Sequence, residues 1–395
     1  MTSTALPSAP AHVPLVPSAE EALLRETVAK IAGAFGHRYF VEKTHAGEPP
    51  SELWQTMGEK GFLGIQLPEQ YGGGGLGLWS LCVVAEELAA AGCPLLPLVF
   101  SQAICGNLLV RYGTAEQKER WLHGIADGSA KFSFAITEPD AGSNSHRIAT
   151  AARRKGDHYI LRGTKTYISG VEDADALVVV ARTGEADSGR GLLSLFIVAP
   201  DAPGLERQHI PTAVVAPDKQ WQLFFDGVEV RADQLLGTQD DGLRAVFDGL
   251  NPERIMGATL SIGIGRYALE KATSYARERA VWDVPIGAHQ GIAHPLAEAR
   301  IELEAARLMT EKAARLFDAG LPCGELANMA KFMAAEASIH CIDHAVQCHG
   351  GNGLAIEYGL TDMWWLARLT KVAPVSREMV LNYVAEHTLK LPKSY

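Results

Sequence analysis

The sequence contains no CxxC pair. Its six cysteines, Cys82, Cys93, Cys105, Cys323, Cys341 and Cys348, are scattered, which suggests neither a zinc site nor a disulfide framework. Reduced, mostly buried thiols in a cytoplasmic protein are the expectation, with no metal. There is no excess of positive charge either. Lys and Arg number 36 against 46 Asp and Glu, a formal net charge of −10. That balance argues against a nucleic-acid binder, which carries a basic face. Anionic ligands stay compatible, because they need only a local cluster of donors. No apolar run reaches the roughly 18–20 residues of a membrane span, so no membrane partner is expected. The first twenty residues lack a basic segment followed by an apolar one, and residues 1–17 read as a flexible arm, not a signal peptide. What is present is 395 residues, 47% of them hydrophobic, enough for two or three domains with sizeable cores.

Three textures follow one another. Over 18–131 the patterns are helical. Segment 18–36 opens on a Ser cap with acids in its first turn and carries Leu23, Val28, Ile31 and Phe35 near helical spacing. Segments 78–92 and 115–125 also read as helices. Between segments 18–36 and 78–92, Pro68 to Gly75 (PEQYGGGG) is a loop. Over 132–240 the texture turns to strands, among them 158–169, 176–182, 192–199 and 221–230, separated by Gly, Asp and Pro. A small antiparallel barrel or sandwich is expected there. Over 241–395 helices return as 252–281, 291–319, 324–349 and 374–389, with Asn251 as cap and Pro252 at the first helical position of the first. Four long helices with short links suggest an antiparallel four-helix bundle. The fold class is α+β, mostly α.

The stretch most suggestive of chemistry is 134–147, FAITEPDAGSNSHR. A strand runs into Thr137-Glu138-Pro139 and then a turn of small residues. The hydroxyls and backbone N–H groups of such a turn can hold a polar ring edge and a phosphate together; a plain β-turn fits the same residues.

This stretch resembles the TEPxAGSD signature of the acyl-CoA dehydrogenase family. Four more pieces resemble that family in its order and at its spacing: Pro68 to Gly75 its PEEYGG loop, 163–170 (GTKTYISG) its GxKxWITN segment, 275–290 (YARERAVWDVPIGAHQ) its YAxxRxxFGxPIxxxQ segment, and 347–353 (QCHGGNG) its QxxGGxG segment. The resemblance implies an N-terminal helical domain, a β domain and a C-terminal four-helix bundle, with FAD between the last two and part of its site lent by a neighbouring subunit. It implies that Phe134, Ile136, Thr137 and Gly142 lie against the flavin, that Tyr167, Ile168 and Ser169 cover one flavin edge, and that Ser143 binds the CoA portion of the substrate. Arg279 is implied to pair with the FAD pyrophosphate of the partner subunit, its planar fork of donors suiting that task. Trp282, Gln290, Gln347, Gly350, Gly351 and Ser376 are implied to complete the FAD contacts. Taken alone, Arg279 also fits a surface ion pair, and 350–353 also fits a glycine-capped helix end.

The α-proton of a thioester is weakly acidic, and its removal needs a carboxylate in a dry site. In most of the family that carboxylate is the Glu of a C-terminal YEG segment; here the corresponding stretch is VAPVSREM and Pro374 stands in its place. A minority resembling isovaleryl-CoA and long-chain dehydrogenases place the base in an LxxER segment at the first bundle helix. This chain has Leu250-Asn251-Pro252-Glu253-Arg254. Glu253 thus falls on the alternative base position, and Asn251 and Arg254 fall where relatives contact CoA. Burial raises the pKa of such a glutamate and a helix N-terminus lowers it. The chain also departs from the family pattern at Asn144, Tyr167, Trp282 and Glu378.

The resemblance implies an acyl-CoA substrate, an electron-transferring flavoprotein as acceptor, and a homo-oligomer, dimer or tetramer. The reaction implied is α,β-dehydrogenation to the 2-enoyl-CoA. The alternative is a non-dehydrogenating member of the fold, either a flavin oxidase or monooxygenase or a silent subunit. Gly92, Ala103 and Gly106, in the stretch that floors the acyl pocket in relatives, are expected to leave room for a long or branched chain.

Overall fold

The computed structural model describes residues 16–187 and 189–393; most of the expected arm, 1–15, lies outside them. The N-terminal helices are α1 (Ala19–Ala46), α2 (Ser51–Glu59), α3 (Gly77–Ala90), α4 (Asn107–Tyr112) and α5 (Ala115–Asp127). Strands β1 (Phe132–Ala135), β2 (Ala151–Lys155), β3 (His158–Ser169), β4 (Ala176–Glu185), β5 (Gly191–Val198), β6 (Leu205–Ile210), β7 (Gln220–Arg231) and β8 (Leu235–Leu236) follow. Helices α6 (Gly242–Glu278), α7 (Gln290–Asp318), α8 (Gly324–His349), α9 (Thr361–Val372) and α10 (Arg377–Tyr383) complete the chain, with a two-stranded ribbon, β9 (Ala280–Val281) and β10 (Val284–Pro285), between α6 and α7. The expected order of helices, sheet and helices is the order observed.

Local signals set several boundaries. The Ser18 hydroxyl accepts from the Glu21 N–H at 3.2 Å and starts α1. The helix does not stop at Gly36; that residue takes φ 69, the chain kinks, and helix resumes as far as Ala46. Thr114 and Gln117 form a reciprocal capping box at α5. The eight-stranded sheet runs β6-β7-β3-β2-β4-β5-β8, with β1 beside β4. It does not close on itself, and two of its pairings, β1 with β4 and β2 with β4, are parallel. The expected antiparallel character therefore holds for the long pairs, β3 with β7 and β4 with β5.

Two helix expectations need correction. The first bundle helix does not begin at Pro252. It begins at Gly242 and carries Pro252 in its interior, so Asn251 caps nothing. Proline lacks an N–H and breaks one rung of the ladder. Tertiary packing holds the extra turns: a Cβ on Gly242 would lie 2.5 Å from the Leu193 carbonyl oxygen of β5, and Tyr112 of α4 donates to Asp248. The expected helix 374–389 is shorter, since α10 spans 377–383 before passing into a π-helical turn, 384–388.

One apolar core joins Phe40, Leu53, Met57, Leu81 and Leu88 of the N-terminal helices to Ile255 and Met256 of α6. Each wholly buried leucine contributes on the order of 2 kcal/mol by area alone. A second core, inside the bundle, is alanine-rich (Ala258, Ala268, Ala272, Ala306, Ala330, Ala334), which lets α6, α7 and α8 pack closely. Between the cores, buried Glu86 and Glu87 of α3 are held by Arg266 of α6 at 2.6 and 2.7 Å, and Arg25 of α1 reaches the same pair. Removing one member would strand a buried charge, so this network fixes α3 over α6.

Candidate active site

Strands β1 and β3 carry the first group of candidate residues. Phe134 is buried in β1; Ile136 and Thr137, just beyond it, are half-buried. The Thr137 carbonyl accepts from the Thr166 N–H at 2.9 Å, tying the end of β1 to β3. A buried ion pair locks the same junction: Lys165 Nζ donates to Glu138 Oε1 at 2.9 Å and to the Ile136 carbonyl at 2.8 Å. Glu138 also accepts the N–H groups of Ala149 (2.7 Å) and Thr150 (2.9 Å). Burial works against the Glu138 charge, but Lys165 and these amides outweigh it and hold the carboxyl below its ordinary value. The loop from Thr137 to Thr150 is thus folded about one carboxylate, and Gly142 and Ser143 stand exposed at its tip. Neither Lys165 nor Glu138 was marked from sequence, although a lysine at an inward strand position was an available signal.

A register shift between Lys165 and Ile168 breaks the pairing of β3 with β7. Such bulges re-aim side chains. Tyr167 takes φ 55 and is 62% exposed, between buried Thr166 and Ile168. Ser169 exchanges hydrogen bonds with the Gln220 amide at 2.9 and 3.1 Å, a partner that sequence reasoning missed.

Glu253 lies in the interior of α6, well past its N-terminus, so the helix-end effect expected from sequence does not apply. Its side chain is half-buried and accepts no hydrogen bond from the described residues. Burial pushes its pKa up to about 7, against the nearby charges of Arg254 and Lys331. The carboxylate is thus densely surrounded by protein while keeping some accessibility. Its other ionisable neighbour is the Cys105 thiol on the π-helical turn 98–106, which burial and the Glu253 charge push up. Asn251 accepts from Arg254 Nη1 at 3.1 Å, so those two candidates meet. Pro374 is close by: a Cβ on Gly257, one turn beyond Glu253, would lie 3.4 Å from Pro374 Cδ. The vacated base position and its alternative therefore face the same stretch of α6. Ser376, two residues on, caps α10 by accepting from the Met379 N–H.

The remaining candidates gather elsewhere. Arg279 ends α6, exposed Trp282 tips the β9–β10 ribbon, Gln290 begins α7, and Gln347, Gly350 and Gly351 lie where α8 ends. Tyr275 stacks on His349 at 4.2 Å and its hydroxyl accepts from Asn352 at 3.1 Å, so these termini form one end of the bundle. At about 1.5 Å of rise per residue, Arg279 is about 39 Å from Glu253 along α6. Within one chain the two groups do not meet.

The expectation of open room at Gly92, Ala103 and Gly106 is not met. A Cβ on Gly92 would come 2.6 Å from His37 Cβ, one on Gly106 would come 3.3 Å from Leu67 Cδ2, and Ala103 is wholly buried in the core. These small residues serve close helix packing.

The order of helical domain, sheet and helical bundle is that of the three acyl-CoA dehydrogenase domains, each of which this chain matches. The chain matches the acyl-CoA dehydrogenase N-terminal domain over residues 18–129, the middle domain over 133–228 and the C-terminal domain over 240–389. It is 52% identical to acyl-CoA dehydrogenase FadE12 of Mycobacterium tuberculosis over 382 residues, 96% of this chain and 98% of that one. Its fold matches a glutaryl-coenzyme A dehydrogenase in complex with glutaryl-CoA (TM-score 0.92, 30% identity, 97% of this chain and 98% of that one). It also matches butyryl-CoA dehydrogenase from Megasphaera elsdenii (TM-score 0.90, 26% identity, 95% and 100%). The chain belongs to the acyl-CoA dehydrogenase family. Among the described residues no helix is long and apolar enough to cross a membrane, and no group of three His, Cys, Asp or Glu is placed to hold a metal.

Proposed function

We propose that the protein is an FAD-dependent acyl-CoA dehydrogenase that converts an acyl-CoA thioester to the 2-enoyl-CoA, with Glu253 as the base. One observation carries the reading: Glu253 is a half-buried carboxylate with no protein hydrogen-bond donor and a pKa of about 7. A base removes a weakly acidic proton best when its pKa is near the working pH, and a carboxylate not engaged by the protein is free to reach a substrate. In this reading Arg254, held by Asn251, supplies a cation for the thioester and CoA portion, and Ser143, exposed on the 137–150 loop, a hydroxyl for the CoA portion.

The residues present fit FAD. Tyr167 is exposed on a bulged strand whose end also carries the Ser169 hydroxyl and is tied to the Thr137 carbonyl through Thr166, and ideal Cβ atoms on Gly142, Gly350 and Gly351 meet nothing within 4 Å. A flat aromatic face, polar edge donors and open glycine backbone suit a ring and a pyrophosphate. When bound, flavin supplies the acceptor for the β-hydride. In this reading Phe134, Ile136, Thr137, Gly142, Tyr167, Ile168 and Ser169 hold the ring. Arg279, Trp282, Gln290, Gln347, Gly350, Gly351 and Ser376 hold the remainder, the bundle-end residues acting across a subunit interface. The separation along α6 supports a homo-oligomer, a dimer at least. An electron-transferring flavoprotein completes the cycle as acceptor, and the six free, buried cysteines fit a cytoplasmic setting.

The test is anaerobic mixing of the flavin-loaded protein with a panel of acyl-CoAs. Bleaching is expected for the wild type; Glu253→Gln should keep its FAD and bleach about 10²–10⁴-fold more slowly. Unchanged bleaching in that variant would remove Glu253 as the base.

A further inference from the structure

Helix α8 brings to this site a lysine that the family motifs above do not contain. Lys331 is 1% exposed, and its ammonium donates to the Val375 carbonyl. An ammonium has three donors, and among the described residues no carboxylate lies within ion-pairing distance of this one. The charged groups that face it are Arg254 on α6, Glu253 on α6, Glu378 on α10 and Glu336 on its own helix. Two of the three acids are already placed. Glu336 is held by Lys371 at 2.7 Å and Arg377 at 2.8 Å, and Glu378 is exposed beside Arg377 at 3.9 Å. The remaining acid is Glu253, which accepts no hydrogen bond of its own. From the other side Glu253 is faced by Arg254, Lys331 and the Cys105 thiol, while Arg254 in turn faces Tyr383 and Cys323. Val375 follows Pro374, whose ring covers α6 at Gly257, one turn beyond the glutamate. A single buried cation is therefore bonded to the loop that closes over the site and lies within Coulombic reach of the carboxylate in it.

We propose that Lys331 is a positioning residue for Glu253: it anchors the 373–376 loop over α6 and places a buried positive charge that favours the ionised carboxylate. The proposal rests on Glu253 being the base. Burial, with Arg254 adding to it, pulls Lys331 down to about 8, while burial pushes Glu253 up to about 7. The ionised pair thus occupies a narrow pH window. Flavin reduction rises as Glu253 ionises, and the Lys331 charge sets the pH at which that rise occurs.

Three variants separate the charge from the hydrogen bond. Lys331→Gln keeps a donor for the Val375 carbonyl without the charge, Lys331→Met removes both, and Lys331→Arg keeps a charge that does not titrate in this range. In anaerobic flavin reduction by acyl-CoA, the Gln and Met variants should move the rising limb up by about one pH unit. The Arg variant should keep the rising limb where it lies in the wild type. Only the Met variant should raise KM several-fold, through the released loop. An infrared carboxyl titration of flavin-loaded protein, differenced against the same protein carrying Glu253→Gln, reads the glutamate without turnover and should show the same shift. A Glu253 titration identical in all four proteins, with only the melting temperature changed, would overturn the proposal. If no acyl-CoA bleaches the wild type, the dehydrogenase reading fails on its own, and the infrared titration still decides whether the two groups are coupled. Should Lys331→Met not fold, the Gln and Arg variants carry the test.

Discussion

Lys165 Nζ lies 2.9 Å from Glu138 Oε1, with the lysine fully buried and the glutamate nearly so. The pair fastens the TEP segment after β1 to the GTKTYIS segment of β3, so two stretches that resemble separate family motifs are one structural unit. Lys165→Met would leave a buried carboxylate with only the Ala149 and Thr150 amides as partners. The expected cost is about 3–5 kcal/mol, read as a lowered denaturant midpoint, with weakened FAD retention because the Tyr167 strand loses its anchor. Lys165→Met combined with Glu138→Leu should recover part of the stability but not all, since those two N–H groups then lack an acceptor. Stability unchanged in the single variant would show the pair to be dispensable.

Glu253 ties stability to pH in a direction that can be worked out. Its folded pKa, about 7, lies above the unfolded value near 4.5. The folded state therefore holds more proton than the unfolded state between those values, and its stability falls as pH rises through that window. Glu253→Gln removes the liability. The variant should match the wild type near pH 4 and exceed it at pH 8 by roughly 1–3 kcal/mol, the range reflecting solvent access to a half-buried side chain. Urea unfolding at the two pH values measures this. A variant less stable than wild type at pH 8 would mean that the carboxylate is satisfied in the folded protein.

What was legible in the sequence was what local chemistry decides. The Ser18 cap, the whole of β3 and the span of α8 follow from caps and periodicity and stand where they were expected. What failed depended on distant partners. Asn251-Pro252 carries every mark of a helix start, but the turns before it are held by β5 and by Tyr112, so the helix runs through the proline. Gly92 and Gly106 are small because neighbouring helices press on them, and composition cannot distinguish such a glycine from one that opens a pocket. Lys331 reads as one residue of an alanine-rich helix. Its placement beside Glu253 is set by how α8 crosses α6, which no short-range pattern encodes.

The same helix gives a paired prediction. A Cβ on Gly263 would meet Ala89 Cβ at 2.4 Å and the Glu86 carbonyl at 2.7 Å, where α3 crosses α6. The Glu86 side chain is pinned by Arg25 and Arg266, so α3 cannot easily yield. Gly263→Ala should destabilise by about 1–3 kcal/mol through overpacking. Gly257→Ala meets only Pro374 Cδ, at 3.4 Å, and should be neutral or gain up to about 1 kcal/mol from helix propensity. Thermal unfolding of the two variants side by side checks this; equal losses would mean that the loop bearing Pro374 is as unyielding as α3.

The separation of Glu253 from Arg279 makes the subunit arrangement testable without a structure of the assembly. If each FAD is bound by one chain near Glu253 and by the partner subunit's Arg279, Glu253→Gln and Arg279→Ala damage the same site from different chains. Each variant alone should be nearly inactive, the first for want of a base and the second for want of bound FAD. Co-refolded from an equal mixture, half of the dimers are mixed, and each mixed dimer has one site in which both residues are intact and one in which both are lost. Activity should return to about a quarter of the wild-type value. Flavin content should recover beyond that of the Arg279→Ala homodimer, since every mixed dimer regains one FAD site with its arginine. If both residues served a site within a single chain, no mixture would contain an intact site and activity would stay at the level of the separate variants. Measuring turnover and bound flavin across mixing ratios distinguishes the two arrangements, because the shared-site case peaks at equal proportions.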